Sequence, residues 1–192
     1  MNIHLYNTKR LISTVAAAII LALVIAPLFS EVAQARSARE IDVSVDVVLD
    51  RFKNEVPGAK EFLKNAKGVL IIPNVIRIGF VFGGEYGEGA LLVGGKTVDY
   101  YSLAGGSFGF QIGAQSKNVV LIFMDEGALT TFRDSLGWTA GVDGSIAFID
   151  YGTGRSVDTD NLRDPIVGFV FGVKGLMANL SLEGSKFTKL TK

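Results

Sequence analysis

The chain contains no cysteine, and its only histidine, His4, lies close to the N-terminus. Disulfides and a lipid-modified cysteine at the start of an exported chain are therefore excluded. Beyond residue 35, the absence of both residue types also excludes Ser-His-Asp and Cys-His nucleophiles and the usual structural zinc sites. Asp143, Asp150 and Glu183 could serve in acid–base chemistry, but no spacing singles them out. We therefore predict a protein that is not an enzyme and needs neither metal nor cofactor.

Two motifs that resemble ligand loops each lack required residues. "GGKT" (94–97) ends like a phosphate-binding P-loop, but Ala90 stands where the first glycine should be. Gly94 and Gly95 instead predict a two-residue hairpin turn, because glycine accepts the positive φ angles of a type I′ turn. "DTDNLRD" (158–164) has Arg163 and Phe169 at the glycine and glutamate positions of a calcium-binding EF-hand loop. We interpret it as a polar connection.

Residues 1–35 have the features of a secretory signal peptide. Lys9 and Arg10 precede the uncharged run "LISTVAAAIILALVIAPLF", and Ala33-Gln34-Ala35 has the form of a cleavage site. We predict cleavage before Arg36 and an exported, periplasmic or secreted protein; an uncleaved membrane anchor is the alternative. The remaining chain has 17 basic and 18 acidic residues. Its net charge of −1 predicts no binding to nucleic acid.

Residues 36–68 are predicted to form an N-terminal helical segment. Apolar residues recur at helical spacing in 41–56 and in 57–68, where Pro57 suits a first turn and Gly68 a C-terminal cap. Lys60, Lys64 and Lys67 form a second stripe, turned away from the apolar one. The net charge between residues 51 and 77 is +4. The two apolar stripes are Val45, Val48, Leu49 and Phe52, then Ala59, Phe62, Leu63 and Ala66.

Residues 69–192 are predicted to form a glycine-rich β domain that makes a single domain with the helical segment. Of the 23 glycines, 21 lie between positions 79 and 184, among short runs of β-branched and aromatic residues. Regular turn signals favour an antiparallel sandwich or barrel. One helix is expected at 125–135, with Asp125 as its N-cap. The candidate strands are 69–73, 76–83, 88–94, 97–103, 107–114, 118–124, 137–142, 145–150, 166–173 and 176–183.

Glycines spaced four residues apart occur in several of these strands, for example Gly79 with Gly83 and Gly168 with Gly172. Residues four apart lie on the same face of a strand, and a glycine-lined face permits tight curvature. The predicted fold is therefore α+β: an antiparallel sheet, closed or nearly closed into a small barrel and flanked by N-terminal helices. An outer-membrane barrel is the alternative, but runs such as "VVLIFM" are apolar on both faces, which suits a buried core better.

Four blocks of the sequence resemble the SYLF domain family. They occur in the family's order and span the chain from 66 to 187: "AKGVLIIPNVIRIGFVFGGEYGEGALLV", "GGSFGFQIGAQS", "GW" at 137–138 and "KGLMANLSLEGSKF". The family includes bacterial exported proteins and eukaryotic proteins that act at membranes and, in yeast, with actin. The resemblance favours the exported branch, in which actin is not an expected partner.

The resemblance implies binding to anionic phospholipid rather than catalysis. The residues that it points to are Lys60, Lys64 and Lys67 on the basic helix, Arg77 in the first block and Lys174 in "KGL". A lysine near an anionic membrane contributes about 1 kcal/mol, so a few of them predict peripheral, salt-sensitive membrane association. Two alternatives remain: a structural or partner-binding envelope protein that uses the same helix for docking, and a helix whose lysines are only its solvated face.

Overall fold

The computed structural model describes residues 36–79, 82–108, 113–150, 164–175 and 182–192. From Ser37 onward the chain forms one compact unit. The helices are α1 (Ala38–Glu55), α2 (Ala59–Asn65) and α3 (Glu126–Asp134). The strands are β1 (Gly68–Gly79), β2 (Phe82–Val93), β3 (Lys96–Phe108), β4 (Gly113–Phe123), β5 (Trp138–Thr139), β6 (Ala147–Asp150), β7 (Ile166–Gly175) and β8 (Lys186–Leu190).

Helix α1 begins earlier than the apolar periodicity alone predicts. Ser37 caps it by accepting a hydrogen bond from the backbone of Glu40, while the Glu40 carboxylate accepts one from the backbone of Ser37. This reciprocal pair satisfies backbone N–H groups that a helix start leaves without partners. The Ser-x-x-Glu signature (37–40) was therefore present in the sequence, directly before the predicted segment 41–56.

Helix α2 is shorter than the predicted segment 57–68. Gly58 adopts a left-handed conformation at its N-cap, and the helix ends at Asn65. Gly68 is the first residue of β1 rather than a helix cap. The prediction for Gly68 was wrong because the chain turns directly from the end of α2 into the sheet.

The strands form one sheet with the order β5-β8-β3-β2-β1-β4-β7-β6. It curls into a half-barrel, and its neighbours pair antiparallel except for β6 and β7, which are parallel. The α+β class with a curled sheet and N-terminal helices is thus confirmed.

The predicted and observed strand boundaries differ most at a β-bulge in β1. Segments 69–73 and 76–83 were expected as separate strands, but β1 runs from Gly68 to Gly79 with a register shift around Pro73 and Asn74. Asn74 has a positive φ of 52°. The bulge accommodates the proline without ending the strand, because such irregularities tolerate a residue that lacks an N–H donor. Most of the predicted strand 176–183 lies outside the described residues, and β8 was not predicted.

Each face of the sheet has its own hydrophobic core. Helices α1 and α2 cover one face, which we call the α1–α2 face, through Phe52, Phe62 and other apolar residues packed on Ile71, Val120 and Phe169. Helix α3 and Trp138 cover the opposite face, the α3 face, where Phe132 packs on Tyr101 and Phe123. Two covered faces explain why several strands are apolar on both sides.

Glycine serves a defined purpose at two places. Gly94 and Gly95 form the turn between β2 and β3 with φ angles of 57° and 78°, which confirms the hairpin prediction. At Gly89 a Cβ atom would lie within van der Waals overlap of the Ile71 carbonyl oxygen. A side chain at that position would force β1 and β2 apart, so glycine allows the close approach of their backbones.

Helix α3 confirms the third helix prediction. It covers Glu126–Asp134, and the Asp125 side chain accepts a hydrogen bond from the backbone N of Ala128 at 2.8 Å. Leu129 and Phe132 are buried, as expected. Within the described ranges, no helix combines the length and the apolar character needed to cross a bilayer.

Candidate functional site

The predicted basic surface lies on helix α2. Ala59 and Phe62 bury one side of this helix, and the Phe62 ring meets Phe169 edge to face at 5.1 Å between centroids. This packing leaves Lys60 and Lys64 exposed one turn apart, on the side away from the core. The helix is thus held by aromatic contacts while its lysines face solvent.

Lys67 lies in the connection between α2 and β1. Its backbone N–H donates to the carbonyl of Phe123 at 2.8 Å, which fixes the chain there, and its side chain is exposed. Neither Lys67 nor the two lysines of α2 forms an ion pair with any residue that the structure describes. These three residues, which we call the α2 lysines, therefore keep their positive charge available.

Two basic residues near the C-terminal end of α1 are paired with neighbouring carboxylates. Arg51 forms a bidentate contact with Glu55, with Nε to Oε1 at 2.7 Å, and Lys53 contacts Asp50 at 3.1 Å. The hydrogen bond with Glu55 raises the pKa of Arg51, and the same bond lowers the pKa of Glu55. The excess of positive charge between residues 51 and 77 is thus concentrated at the α2 lysines.

The exposed side of α1 has the opposite character. Glu40, Asp46 and Asp50 are exposed on it, together with Val43 and Val47. An acidic helix surface would be repelled by anionic headgroups. Apart from Arg39, which is exposed near the start of α1, the exposed basic residues of the N-terminal helical segment that have no ion-pair partner in the described chain are the α2 lysines.

Arg77 lies far from the α2 lysines. It is on β1, nine positions beyond Gly68, and a strand advances about 3.3 Å per residue, so roughly 30 Å of strand separates it from the α2 end. Only 7% of it is exposed, because it faces the α3 side of the sheet opposite Glu85 on β2 and Gln115 on β4. The structure places Arg77 in the interior, away from any surface formed by α2.

Lys174 is exposed but belongs to the same distant part of the sheet. It lies near the end of β7 and pairs in register with Ser116, which in turn pairs with Ile76. The structure therefore brings the three α2 lysines together but not the other two predicted residues: Lys174 and Arg77 lie towards the other end of the sheet, on opposite faces of it.

A buried charge cluster lies on the α3 face near Arg77. The Nζ of Lys117 is 2.8 Å from Oε2 of Glu85, and both side chains are almost fully buried. The Glu85 carboxylate also accepts a hydrogen bond from Ser185 at 3.0 Å, and its side chain lies against Gly105, where a Cβ would be 3.0 Å away. The missing side chain at Gly105 thus leaves room for Glu85.

Sequence reasoning missed this cluster, although a signal was present. Lys117 was placed outside the predicted strand 118–124, but β4 begins at Gly113. Every second residue of a strand lies on the same face, so Lys117 lies on the same face of β4 as the core residue Val119. Glu85 occupies the same face of β2, two positions from Gly87. Opposite charges at core-facing positions of two strands, β2 and β4, which flank β1 in the sheet, were the available indication.

An apolar groove adjoins the α2 lysines. It is a cavity of about 340 Å³ between α1, α2 and the β2–β3 turn. This is at the lower end of the about 300–1,000 Å³ typical of ligand sites. Lys53 and Lys67 contribute the positively charged part of its lining, and Gly94 and Gly95 belong to the same wall. The apolar lining residues are Leu49, Leu63, Ala66, Val69 and Leu92.

No group of three or more acidic or histidine side chains that could hold a metal ion occurs among the described residues. The loop that contains Asp158 and Asp160 lies outside them, so its interpretation as a polar connection stays a prediction.

The fold and the surface define a small α+β domain: a curled glycine-rich sheet that carries a short helix with exposed lysines. Residues 104–192 match a family model described as "Ysc84: Las17-binding protein actin regulator". The chain is 34% identical over 134 residues to the SH3 domain-containing protein PJ696.02 of Schizosaccharomyces pombe, and 31% identical over 146 residues to Protein YSC84 of Saccharomyces cerevisiae. The predicted resemblance is thus confirmed: residues 104–192 match the Ysc84 (SYLF) family model, and two yeast proteins are similar to the chain.

These alignments cover 64% and 69% of the chain, but 30% and 31% of the two yeast proteins. The chain therefore spans less than a third of the length of these relatives. Its place in an exported bacterial branch of the family stays a prediction.

Proposed function

We propose that this chain is a non-catalytic protein that binds anionic phospholipid surfaces through the α2 lysines. One observation carries the proposal: Lys60, Lys64 and Lys67 are exposed and have no ion-pair partner within the described chain. Lys60 and Lys64 lie on a helix whose other side is anchored in the core, and Lys67 follows that helix in a connection held by its backbone hydrogen bond to Phe123. Rigid anchoring keeps the three ammonium groups in one region of the surface, so each can contribute without a large ordering cost.

The magnitude suits reversible membrane association. Each lysine close to an anionic membrane contributes about 1 kcal/mol, so three contribute about 3 kcal/mol, or roughly a hundredfold in affinity. Such binding is screened by salt because the charges lie at the surface. The family resemblance, which implies lipid- or actin-associated function, supports this proposal from a separate direction. From the signal peptide predicted for residues 1–35, the proposal also places the protein outside the cytoplasm, as a peripheral membrane protein.

Vesicle co-sedimentation tests the proposal. The protein should bind vesicles that contain phosphatidylglycerol and not vesicles of phosphatidylcholine alone, and binding should weaken as the salt concentration rises. The triple variant Lys60→Glu/Lys64→Glu/Lys67→Glu should lose about a hundredfold or more in affinity and keep its fold and thermal stability. Binding that ignores both salt and the anionic fraction would contradict the proposal.

Single charge reversals locate the surface. Lys64→Glu should weaken vesicle binding by about tenfold, whereas Lys186→Glu, an equal change of charge at an exposed lysine of β8, should have little effect. Lys174→Glu decides whether the second predicted group contributes. Equal losses for Lys64→Glu and Lys186→Glu would show that overall charge, and not the α2 surface, determines binding.

A protein-docking role is the second candidate, and one observation favours it. Val43 and Val47 lie one turn apart on the outer side of α1 and are 58% and 56% exposed. Exposed apolar residues at this spacing are typical of helices that dock on a partner. If Val43→Glu/Val47→Glu abolished recruitment to cell envelopes while vesicle binding stayed intact, the docking role would replace the lipid role as the main function.

A further inference from the structure

The groove beside α2 differs in chemistry from the open surface that carries Lys60 and Lys64. Its walls are apolar, since Leu63 and Ala66 come from the α2 end, Leu49 from α1 and Leu92 from β2. Water inside such a groove finds few hydrogen-bond partners, so a hydrocarbon group would replace it favourably. The lining therefore selects for a ligand with a substantial apolar part.

The charged part of the lining selects for the other end of the ligand. Lys67 has no ion-pair partner among the described residues, and Lys53 contacts only the exposed carboxylate of Asp50. Both lysines belong to the lining of the same groove. A ligand that combines a hydrocarbon chain with an anionic head would satisfy both parts at once.

We propose that this groove binds one acyl chain of an anionic phospholipid, with the phosphate of the same molecule next to Lys67 and Lys53. The inference rests on the proposed function, because it specifies how a single lipid of the anionic surface is held once the α2 lysines have brought the domain to the membrane. The β2–β3 turn contributes Gly94 and Gly95 to the lining of the groove, and these two glycines present no side chains there. The volume of about 340 Å³ admits one chain rather than two.

Dodecyl phosphate, held below the concentration at which it forms micelles, is a soluble probe for this site. Isothermal titration calorimetry on the full chain should show one saturable site. Lys67→Glu should weaken the affinity about tenfold or more, because the head would then face a carboxylate. Lys186→Glu, with the same change of charge on β8, should alter it less than twofold. Inorganic phosphate and dodecyl maltoside, which supply the head or the chain alone, should each bind at least tenfold more weakly.

A substitution that fills the groove with a larger side chain provides an independent test. Ala66→Phe should abolish binding of dodecyl phosphate, while the thermal melting curve shows whether the variant is folded. If Ala66→Phe does not fold, the comparison of Lys67→Glu with Lys186→Glu still decides. The groove proposal is overturned if dodecyl phosphate does not bind, if both charge reversals weaken binding equally, or if folded Ala66→Phe binds as well as the original protein.

The two proposals fail in distinguishable ways. If the protein binds vesicles but not dodecyl phosphate, the proposed α2 surface is supported and the proposed lipid site in the groove is contradicted. If the protein binds dodecyl phosphate saturably but does not bind vesicles, the groove is supported as a site for a free amphiphile and the membrane role is contradicted.

Discussion

Lysine occurs in two opposite environments in this protein. Lys60 and Lys64 project from a short helix into solvent and have no ion-pair partner in the described chain, whereas Lys117 is buried in the sheet and contacts Glu85 at 2.8 Å. A buried charge is tolerated only when a partner compensates for the lost hydration. An exposed charge needs no partner and remains available to a ligand. The same side chain is therefore structural in one place and a candidate binding group in the other.

The positions of the two groups explain the difference. Lys60 and Lys64 lie on a helix that buries only one side, and Lys67 lies in the connection from that helix to β1. Lys117 occupies a core-facing position of a central strand. The four predictions below test this contrast, in order of decreasing effect.

Loss of the buried lysine should have the largest effect. Lys117→Met should lower the free energy of unfolding by about 3–5 kcal/mol, because it removes the ammonium group that contacts the buried Glu85 carboxylate at 2.8 Å. The shift of the urea denaturation midpoint measures this loss. Adding Glu85→Gln should recover part of it, since the uncompensated charge is then removed. A loss below about 1 kcal/mol would mean that Lys117 is not structurally important.

Close backbone packing distinguishes the covered part of the sheet from its open end. Gly89→Ala should cost about 1–3 kcal/mol or more, because the new methyl group meets the Ile71 carbonyl. Gly106→Ala is the matched control: no atom of the described residues beyond its chain neighbours lies within 4 Å of its Cβ position, so we expect a change within about 0.5 kcal/mol. Thermal melting measures both variants. Equal effects at the two glycines would contradict the close approach of β1 and β2.

The buried hydroxyl of Tyr101 allows the effect of burial to be tested by changing the pH. Burial, reinforced by Asp99, raises the pKa of Tyr101 to about 12 from its ordinary value of about 10. The protonated form is favoured in the folded state, so its contribution to stability is complete below about pH 10 and is lost as the pH rises toward 12. Tyr101→Phe should reduce this loss, and tyrosinate absorbance measures the titration.

The same variant should change stability at neutral pH by at most about 1 kcal/mol, because the Tyr101 hydroxyl has no hydrogen-bond partner among the described residues. Tyr86, whose pKa burial and Glu88 also raise to about 12, remains as an internal reference. A Tyr101 that titrates near pH 10 would show that its hydroxyl reaches water.

Replacement of an exposed lysine should have the smallest effect on stability. Lys60→Met repeats the chemistry of Lys117→Met at the surface, and we expect a change within about 0.5 kcal/mol by the same urea measurement. The paired substitutions isolate burial as the variable. A loss above about 1 kcal/mol would mean that Lys60 supports the helix rather than serving as a solvated, available charge.

Much of the local structure was predictable because its causes lie close together in the chain. The turn at Gly94-Gly95, the cap at Asp125 and the two N-terminal helices each depend on residues within a few positions of one another. Strand boundaries were less predictable: the bulge at Pro73 joins two predicted strands, and β8 pairs with β3 across more than eighty residues. Pairing between distant segments leaves no local signal, so its register could not be read from the sequence.

The sequence by itself determined the helices, the glycine turn, the basic stripe on α2 and the family resemblance, because each depends on residue type and short-range spacing. Only the tertiary structure decided which positive charges are available. It brought Glu85 against Lys117, turned Arg77 into the interior and left the α2 lysines in solvent beside an apolar groove. Burial and ion pairing depend on which segments meet in three dimensions, and those contacts fix the energy of a charge.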